Sequence, residues 1–178
     1  RASVVGGFVG TSNLEAGLLY GIPTVGTSAH SFTLLHDTEE EAFAAQVASL
    51  GPSTTILVDT YDITTGVERA VKAARAAGGE LGAVRLDSGD LVAEAFKVRA
   101  QLDALGATST GITVTNDLDE HAIAALGAAP VDSYGVGTKL VTGSGRPTAA
   151  LVYKLVEREG ADGTMEESME CHPVNEYG

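Results

Sequence analysis

One feature constrains this chain more than any other: short runs of β-branched and apolar residues alternate with longer, Ala-rich stretches of helical spacing. The spacing predicts strands over Val4–Val9, Pro23–Gly26, Thr55–Val58, Gly82–Leu86, Gly111–Thr115 and Ser133–Val136, with a seventh candidate over Ala149–Leu155. Helices fall over Glu39–Leu50, Thr65–Ala77, Leu91–Leu105 and Asp119–Leu126. In the third of these, Leu91, Ala95, Val98, Leu102 and Leu105 recur at steps of three and four and draw one apolar stripe. Such alternation is the signature of βα units on a parallel sheet, so the fold class is α/β. An open doubly wound sheet and a (β/α) barrel both satisfy it, and periodicity does not choose between them. Both bind ligands at the carboxyl ends of the parallel strands, so the polar residues directly after each strand are where chemistry is sought.

Composition narrows the partners. Hydrophobic residues make up 44% of the 178, enough for one domain core. Lys and Arg number 11 against 24 Asp and Glu, and the formal charge of -13 repels polyanions, which argues against nucleic acid and acidic membrane surfaces. The single cysteine, Cys171, has no partner for an internal disulfide, and no apolar run approaches the roughly 20 residues of a membrane helix. A cytoplasmic enzyme is the expectation. The chain opens on Arg1 and enters an apolar run at once, so residues before it are expected to be missing. Periodic apolar structure stops near Val156, which makes residues 1–156 one α/β unit and residues 157–178 an acidic tail expected to be poorly ordered.

Nearly every strand end carries polar residues. After the first come Gly10, Thr11, Ser12 and Asn13, which can offer hydroxyl and backbone donors to an anion, or can cap a helix through Ser12 or Asn13. The second leads into Gly26-Thr27-Ser28-Ala29-His30-Ser31, where the imidazole of His30 stands among small residues and can serve as acid, base or nucleophile. His36, His121 and His172 sit in ordinary surroundings. Asp59, after the third strand, suits a metal or hydroxyl and equally a helix cap. The fourth gives Arg85-Leu86-Asp87-Ser88-Gly89-Asp90: a forked donor for phosphate oxygens, carboxylates for hydroxyls or magnesium waters, and a glycine that lets a ligand approach. The competing reading is an internal salt bridge of Arg85 with Asp87 or Asp90 and a cap by Ser88. The fifth ends in Thr115, Asn116 and Asp117, with Asp117 or Asp119 available as a cap. The sixth ends in Gly135-Val136-Gly137-Thr138-Lys139, whose glycines free backbone N–H groups as a phosphate cradle requires. Neither the dinucleotide glycine fingerprint nor Walker A is present.

Taken in order, Gly7-Phe8-Val9-Gly10-Thr11-Ser12-Asn13, the Gly26–Ser31 segment, Val58-Asp59-Thr60-Tyr61-Asp62, the Arg85–Asp90 segment and Tyr134-Gly135-Val136-Gly137-Thr138 resemble the nicotinate phosphoribosyltransferase family, and Val152-Tyr153-Lys154-Leu155-Val156 extends the likeness. The resemblance implies a type II phosphoribosyltransferase fold: an incomplete (β/α) barrel, here truncated at both ends, beside a smaller α/β domain built from segments outside this sequence. It implies joining of nicotinate to phosphoribosyl pyrophosphate, giving nicotinate mononucleotide and pyrophosphate for NAD biosynthesis, with ATP and water converted to ADP and phosphate. Mg2+ accompanies the phosphates, with Asp90 as a candidate contact through water, and the full-length enzyme is expected to be a homodimer with shared active sites.

Residue roles follow from the same resemblance. Arg85 meets phosphate oxygens, Asp87 holds a ribose hydroxyl, Asn116 assists at the sugar, Gly137 and Thr138 bind the 5′-phosphate, and His30 matches the histidine that ATP phosphorylates. Thr11, Ser12, Asn13, Ser28, Ser88, Gly89, Asp117 and Gly135 complete the expected substrate contacts. A neutral Ser12, where the related nicotinamide-using family carries an aspartate, avoids repelling the carboxylate of nicotinate. The segment that sandwiches the pyridine ring is expected upstream of Arg1, so the 178 residues alone are expected to be inactive. Two other readings stand beside this one. A sugar-phosphate aldolase or isomerase barrel would need a Schiff-base lysine such as Lys139, and a non-catalytic module would bind a phosphate or nucleotide without turnover.

Overall fold

A strand pays off only beside another strand, and the middle of the chain supplies four in succession. The computed structural model describes residues 1–143, 145–149, 151, 153–160 and 162–167. Three helices come first: α1 (Ala2–Val5), α2 (Leu14–Tyr20) and α3 (His30–Leu34). Then follow α4 (Glu39–Leu50), β1 (Thr55–Leu57), α5 (Ile63–Ala76), β2 (Ala83–Leu86), α6 (Leu91–Ala104), β3 (Gly111–Val114), α7 (Glu120–Leu126), β4 (Ser133–Tyr134) and α8 (Thr138–Thr142). A hairpin, β5 (Glu157–Glu159) and β6 (Met165–Glu167), ends the described chain.

β1 to β4 form one parallel sheet in the order β1-β2-β3-β4, each strand beside its neighbour in sequence. Alternate residues divide its faces. Val84 and Leu86 of β2 and Ile112 and Val114 of β3 are fully buried, with Ile56 and Val58, against Phe43 and Val47 of α4, Val67 and Ala70 of α5, Val98 and Leu102 of α6, and Leu126 of α7. Each such aliphatic side chain contributes about 1.5–3 kcal/mol by leaving water. The helices start where the sequence offers caps. Thr38 and Glu41 form a reciprocal capping box on α4, and Asp62, Asp90 and Asp119 accept from backbone N–H groups in the first turns of α5, α6 and α7.

Four expectations change. Over Val4–Val9 the chain begins as α1 and then runs extended, and Pro23–Gly26 is not a strand. The two segments meet in a single parallel bridge, Thr11 with Thr24, through Thr11 N–H to Pro23 O at 3.0 Å and Val25 N–H to Thr11 O at 2.9 Å. Among the described residues neither has a longer ladder to join, and β-propensity without a partner does not make a strand. Of Ala149–Leu155, the described residues carry no strand, and Ala150 and Val152 lie outside them. The acidic stretch after Val156 pairs into the antiparallel β5–β6 hairpin, where Arg158 bonds Asp37 at 2.6 Å and Glu166 at 2.8 Å; residues 168–178 lie outside the described residues.

Candidate active site

The face of the sheet away from α4–α7 carries the chemistry. Strand register aligns Leu57, Arg85, Thr113 and Ser133 across it. Two residues further on, at the carboxyl ends, the same alternation brings Asp59, Asp87, Thr115 and Gly135 into a second row. Contacts join that row directly. Asp59 Oδ2 accepts from the Asp87 backbone N–H at 2.7 Å and from the Ser88 hydroxyl at 2.8 Å. The Thr115 hydroxyl donates to Asp87 Oδ1 and accepts from Arg85 Nε at 2.8 Å. A methyl group on Gly135 would stand 2.6 Å from Thr115 Cγ2, so only glycine leaves that hydroxyl its place.

Arg85 sits at the centre. Its NH2 group bonds Asp87 Oδ1 at 3.0 Å, and its NH1 group bonds Thr27 Oγ1 at 2.6 Å and Ser28 O at 3.3 Å. The guanidinium is thereby fixed in orientation while remaining partly accessible, a forked cation suited to an anion that displaces one of these partners. His30, the first residue of α3, reaches the same row. Its Nδ1 lies 3.1 Å from the Thr60 hydroxyl, and its Nε2 lies 3.8 Å from Asp87 Oδ2 and 4.0 Å from Asp59 Oδ1. Asp59 is 1% exposed, and its Oδ1 has no hydrogen-bond partner among the described residues. The Thr60 hydroxyl at Nδ1 and the two carboxylates near Nε2 orient the ring, as a histidine that exchanges protons or accepts a group must be oriented.

Burial by itself would raise the Asp87 carboxyl, but hydrogen bonds with His30 and Thr115 and the charge of Arg85 outweigh it and hold the group well below the usual carboxylate range. Asp87 is therefore an anion at any working pH and a fixed acceptor for a hydroxyl or for developing positive charge.

The salt bridge foreseen between Arg85 and Asp87 is present, yet Ser88 is not a cap: it bonds Asp59, and Asp90 caps α6 by accepting from Ala93 N–H at 3.1 Å. Gly89 turns the chain between them at φ 77°. Asn116 and Asp117, just past β3, have φ of 98° and 40°, a left-handed backbone that costs about 1–3 kcal/mol per residue and is concentrated at functional sites. Ser28 offers its carbonyl to Arg85, while its hydroxyl is bonded to Gln46 at 2.8 Å. Gly137 and Thr138 stand at the start of the five-residue α8. Asn13 caps α2 by accepting from Ala16 N–H at 2.9 Å, Thr11 accepts from Asn13 N–H at 3.2 Å, and Ser12 is exposed between them. No described hydrogen bond joins Thr11, Ser12, Asn13, Asn116, Asp117, Gly137 or Thr138 to the Arg85 cluster.

Asp59, Thr115, Thr27 and Thr60 belong to the cluster; of these the sequence offers only Asp59 as a candidate, with a helix cap as its equal alternative. Asp59 had a signal. The cap of α5 is Asp62, which accepts from Thr65 N–H at 2.8 Å, so Asp59 was free to serve the site.

No protein-family model matches the chain. Among curated proteins, it is 59% identical over 168 residues to a nicotinate phosphoribosyltransferase of Mycobacterium tuberculosis, covering 90% of this chain and 37% of that protein. It is 41% identical to the nicotinate phosphoribosyltransferase of Bacillus subtilis, covering 93% of this chain and 34% of that protein. The crystal structure of human nicotinic acid phosphoribosyltransferase superposes with a TM-score of 0.64 at 27% identity, over 75% of this chain and 39% of that one. A nicotinate phosphoribosyltransferase from Porphyromonas gingivalis shares the fold with a TM-score of 0.77, over 94% of this chain and 47% of that one. The chain thus spans a little over a third of the length of the curated relatives it matches. It is a relative of the nicotinate phosphoribosyltransferases in both sequence and fold over that stretch.

Proposed function

We propose that this chain carries the phosphoribosyl-handling part of a nicotinate phosphoribosyltransferase, acting in NAD biosynthesis from nicotinate. The nitrogen of nicotinate attacks the anomeric carbon of phosphoribosyl pyrophosphate, the bond to pyrophosphate breaks, and nicotinate mononucleotide and pyrophosphate leave. A coupled ATP and water become ADP and phosphate. The observation that carries the reading is the row Asp59, Asp87, Thr115 with Arg85 and His30: a fixed cation and fixed carboxylates at the carboxyl ends of parallel strands, in a chain 59% identical to an enzyme of that name.

In this reading Arg85 turns NH1 to phosphate oxygens and Asp87 holds a ribose hydroxyl as positive charge builds at the sugar. His30 accepts the phosphoryl group of ATP while Asp59 and Asp87 hold its ring. The added charge orders the neighbouring loops, and hydrolysis releases them. Thr11, Ser12, Asn13, Ser28, Ser88, Gly89, Asn116, Asp117, Gly135, Gly137 and Thr138 frame the substrates. The sequential parallel order β1-β2-β3-β4, without the reversal of a doubly wound sheet, supports an arc of an incomplete (β/α) barrel whose interior face bears Arg85. Among the described residues no three histidine, cysteine, aspartate or glutamate side chains are placed so as to hold a metal ion by themselves. The donor set fits a magnesium ion carried by the substrate phosphates and met by Asp90 through water. When bound there, magnesium would neutralise phosphate charge. The remaining partner expectation is a homodimer. No helix among the described residues is long and apolar enough to cross a membrane.

The test uses the native polypeptide that contains these residues, supplied with nicotinate and phosphoribosyl pyrophosphate with and without ATP. ATP is expected to stimulate nicotinate mononucleotide formation, and His30→Ala is expected to abolish the stimulation and the accompanying ATP hydrolysis while leaving slow uncoupled turnover. Unchanged ATP coupling in His30→Ala would refute the assignment of His30. Ligand binding without turnover in the wild type would point instead to a non-catalytic module.

A further inference from the structure

A buried amide outside the strand-end row holds the segment that precedes His30. Gln46, on α4, is 4% exposed. Its Nε2 donates to the Thr55 carbonyl at 2.8 Å and to Thr54 Oγ1 at 3.2 Å, at the start of β1. A backbone carbonyl only accepts, so the nitrogen end of the amide faces β1 and the oxygen end faces Ser28, whose hydroxyl donates to it at 2.8 Å.

On this side the segment has little else to hold it. A cleft of about 380 Å³ separates Gly26, Thr27 and Phe32 from Ala45, Ser49 and Leu50 of α4, and Gln46 reaches across its edge. Among the described residues, the side chains that tie residues 26–28 to the sheet and its helices are Gln46 from the helix side and Arg85 from the site side. Arg85 NH1 makes both of its bonds to this segment, at Thr27 Oγ1 and Ser28 O. Those bonds must loosen if NH1 is to take a phosphate oxygen. His30 itself is held by α3, whose Thr33 and Leu34 are buried, and by Thr60 at its Nδ1, so what a second anchor secures is residues 26–28, the chain that leads into the first turn of α3.

We propose that Gln46 is a positioning residue: its amide keeps residues 26–28 at the start of β1 while Arg85 exchanges that segment for phosphate, and so sets the entry into the first turn of α3 from which the His30 ring projects. The proposal rests on the functional reading above. Its measure is the single-turnover rate constant of phosphohistidine formation from ATP in the native polypeptide. That constant, unlike the burst amplitude, does not depend on the fraction of enzyme that is folded. Gln46→Leu and Ser28→Ala are each expected to slow it about tenfold, the size of one lost hydrogen bond at a reacting geometry. The double variant is expected to be no slower than Gln46→Leu alone, because both changes cut the same link. KM for nicotinate in Gln46→Leu is expected to stay within about twofold. If Gln46→Leu does not fold, Gln46→Met, whose flexible side chain adapts to the site, takes its place. Variants that phosphorylate at the wild-type rate, or effects that multiply in the double variant, would overturn the role of Gln46 alone. Absence of phosphohistidine in the wild type would overturn the functional reading and this proposal with it.

Discussion

The sheet with its helices and the segment before it are made of similar residues and behave differently. In β1–β4, valine, leucine and isoleucine are fully buried, whereas in residues 1–29 Val5 is 89% exposed, Val9 88% and Leu18 86%. Both regions have strand-like apolar runs. The difference is partners. β2 and β3 each pair on both edges and lie under a layer of helices, while the N-terminal runs share one bridge, Thr11 with Thr24. Apolar character makes burial favourable, and neighbours decide whether it happens. The site straddles this boundary: Arg85, Asp87 and Asp59 stand on the sheet, and His30, Thr27 and Ser28 come from where the first segment joins it.

The largest expected effect tests the contrast itself. Ile112→Ala, in the middle of the sheet, is expected to cost about 2–5 kcal/mol in chemical denaturation, and Leu18→Ala, on the exposed α2, less than about 0.5 kcal/mol. Equal losses would show that the first segment is packed as tightly as the sheet. Glycine substitutions give a smaller version. Gly135→Ala forces a methyl against Thr115 and is expected to cost about 1–3 kcal/mol, while Gly26→Ala, with open space around the added carbon, is expected to change stability by less than about 0.5 kcal/mol.

A still smaller effect reads the electrostatics of the sheet's edge. The Asp87 carboxyl is lowered from its ordinary value of 3.8 in the folded protein, so the unfolded chain takes up its proton first as pH falls. Its contribution to stability is complete above the ordinary value and is lost below it. The difference in Tm between wild type and Asp87→Asn is therefore expected to narrow from about pH 5 to about pH 3. A constant difference across that range would mean the carboxylate is not specially held.

The same contrast explains what was legible in the sequence. α4 to α7 and β1 to β4 carried their own signals, because helical stripes and caps such as Asp90 and Asp119 are local. The expected strands at Val4–Val9 and Pro23–Gly26 depended on a ladder that a local pattern does not contain. In the site, His30, Arg85 and Asp87 stood out as reactive groups at strand ends. Asp59 read equally as a site contact and a helix cap, and Thr115 gave no signal, because their part depends on register: β1, β2 and β3 must align before one row runs from Asp59 through Asp87 to Thr115. Gln46 gave no signal, since a glutamine in an amphipathic helix reads as surface until its three bonds are seen.

The account's central claim is that the row at the strand ends of β1–β3 handles the phosphoribosyl group, and Asp87→Asn tests it most directly because it removes charge without changing shape. In the native polypeptide, kcat/KM for phosphoribosyl pyrophosphate is expected to fall about 100-fold or more, with the protein still folded. A folded Asp87→Asn enzyme with kcat/KM within about threefold of wild type would contradict the claim.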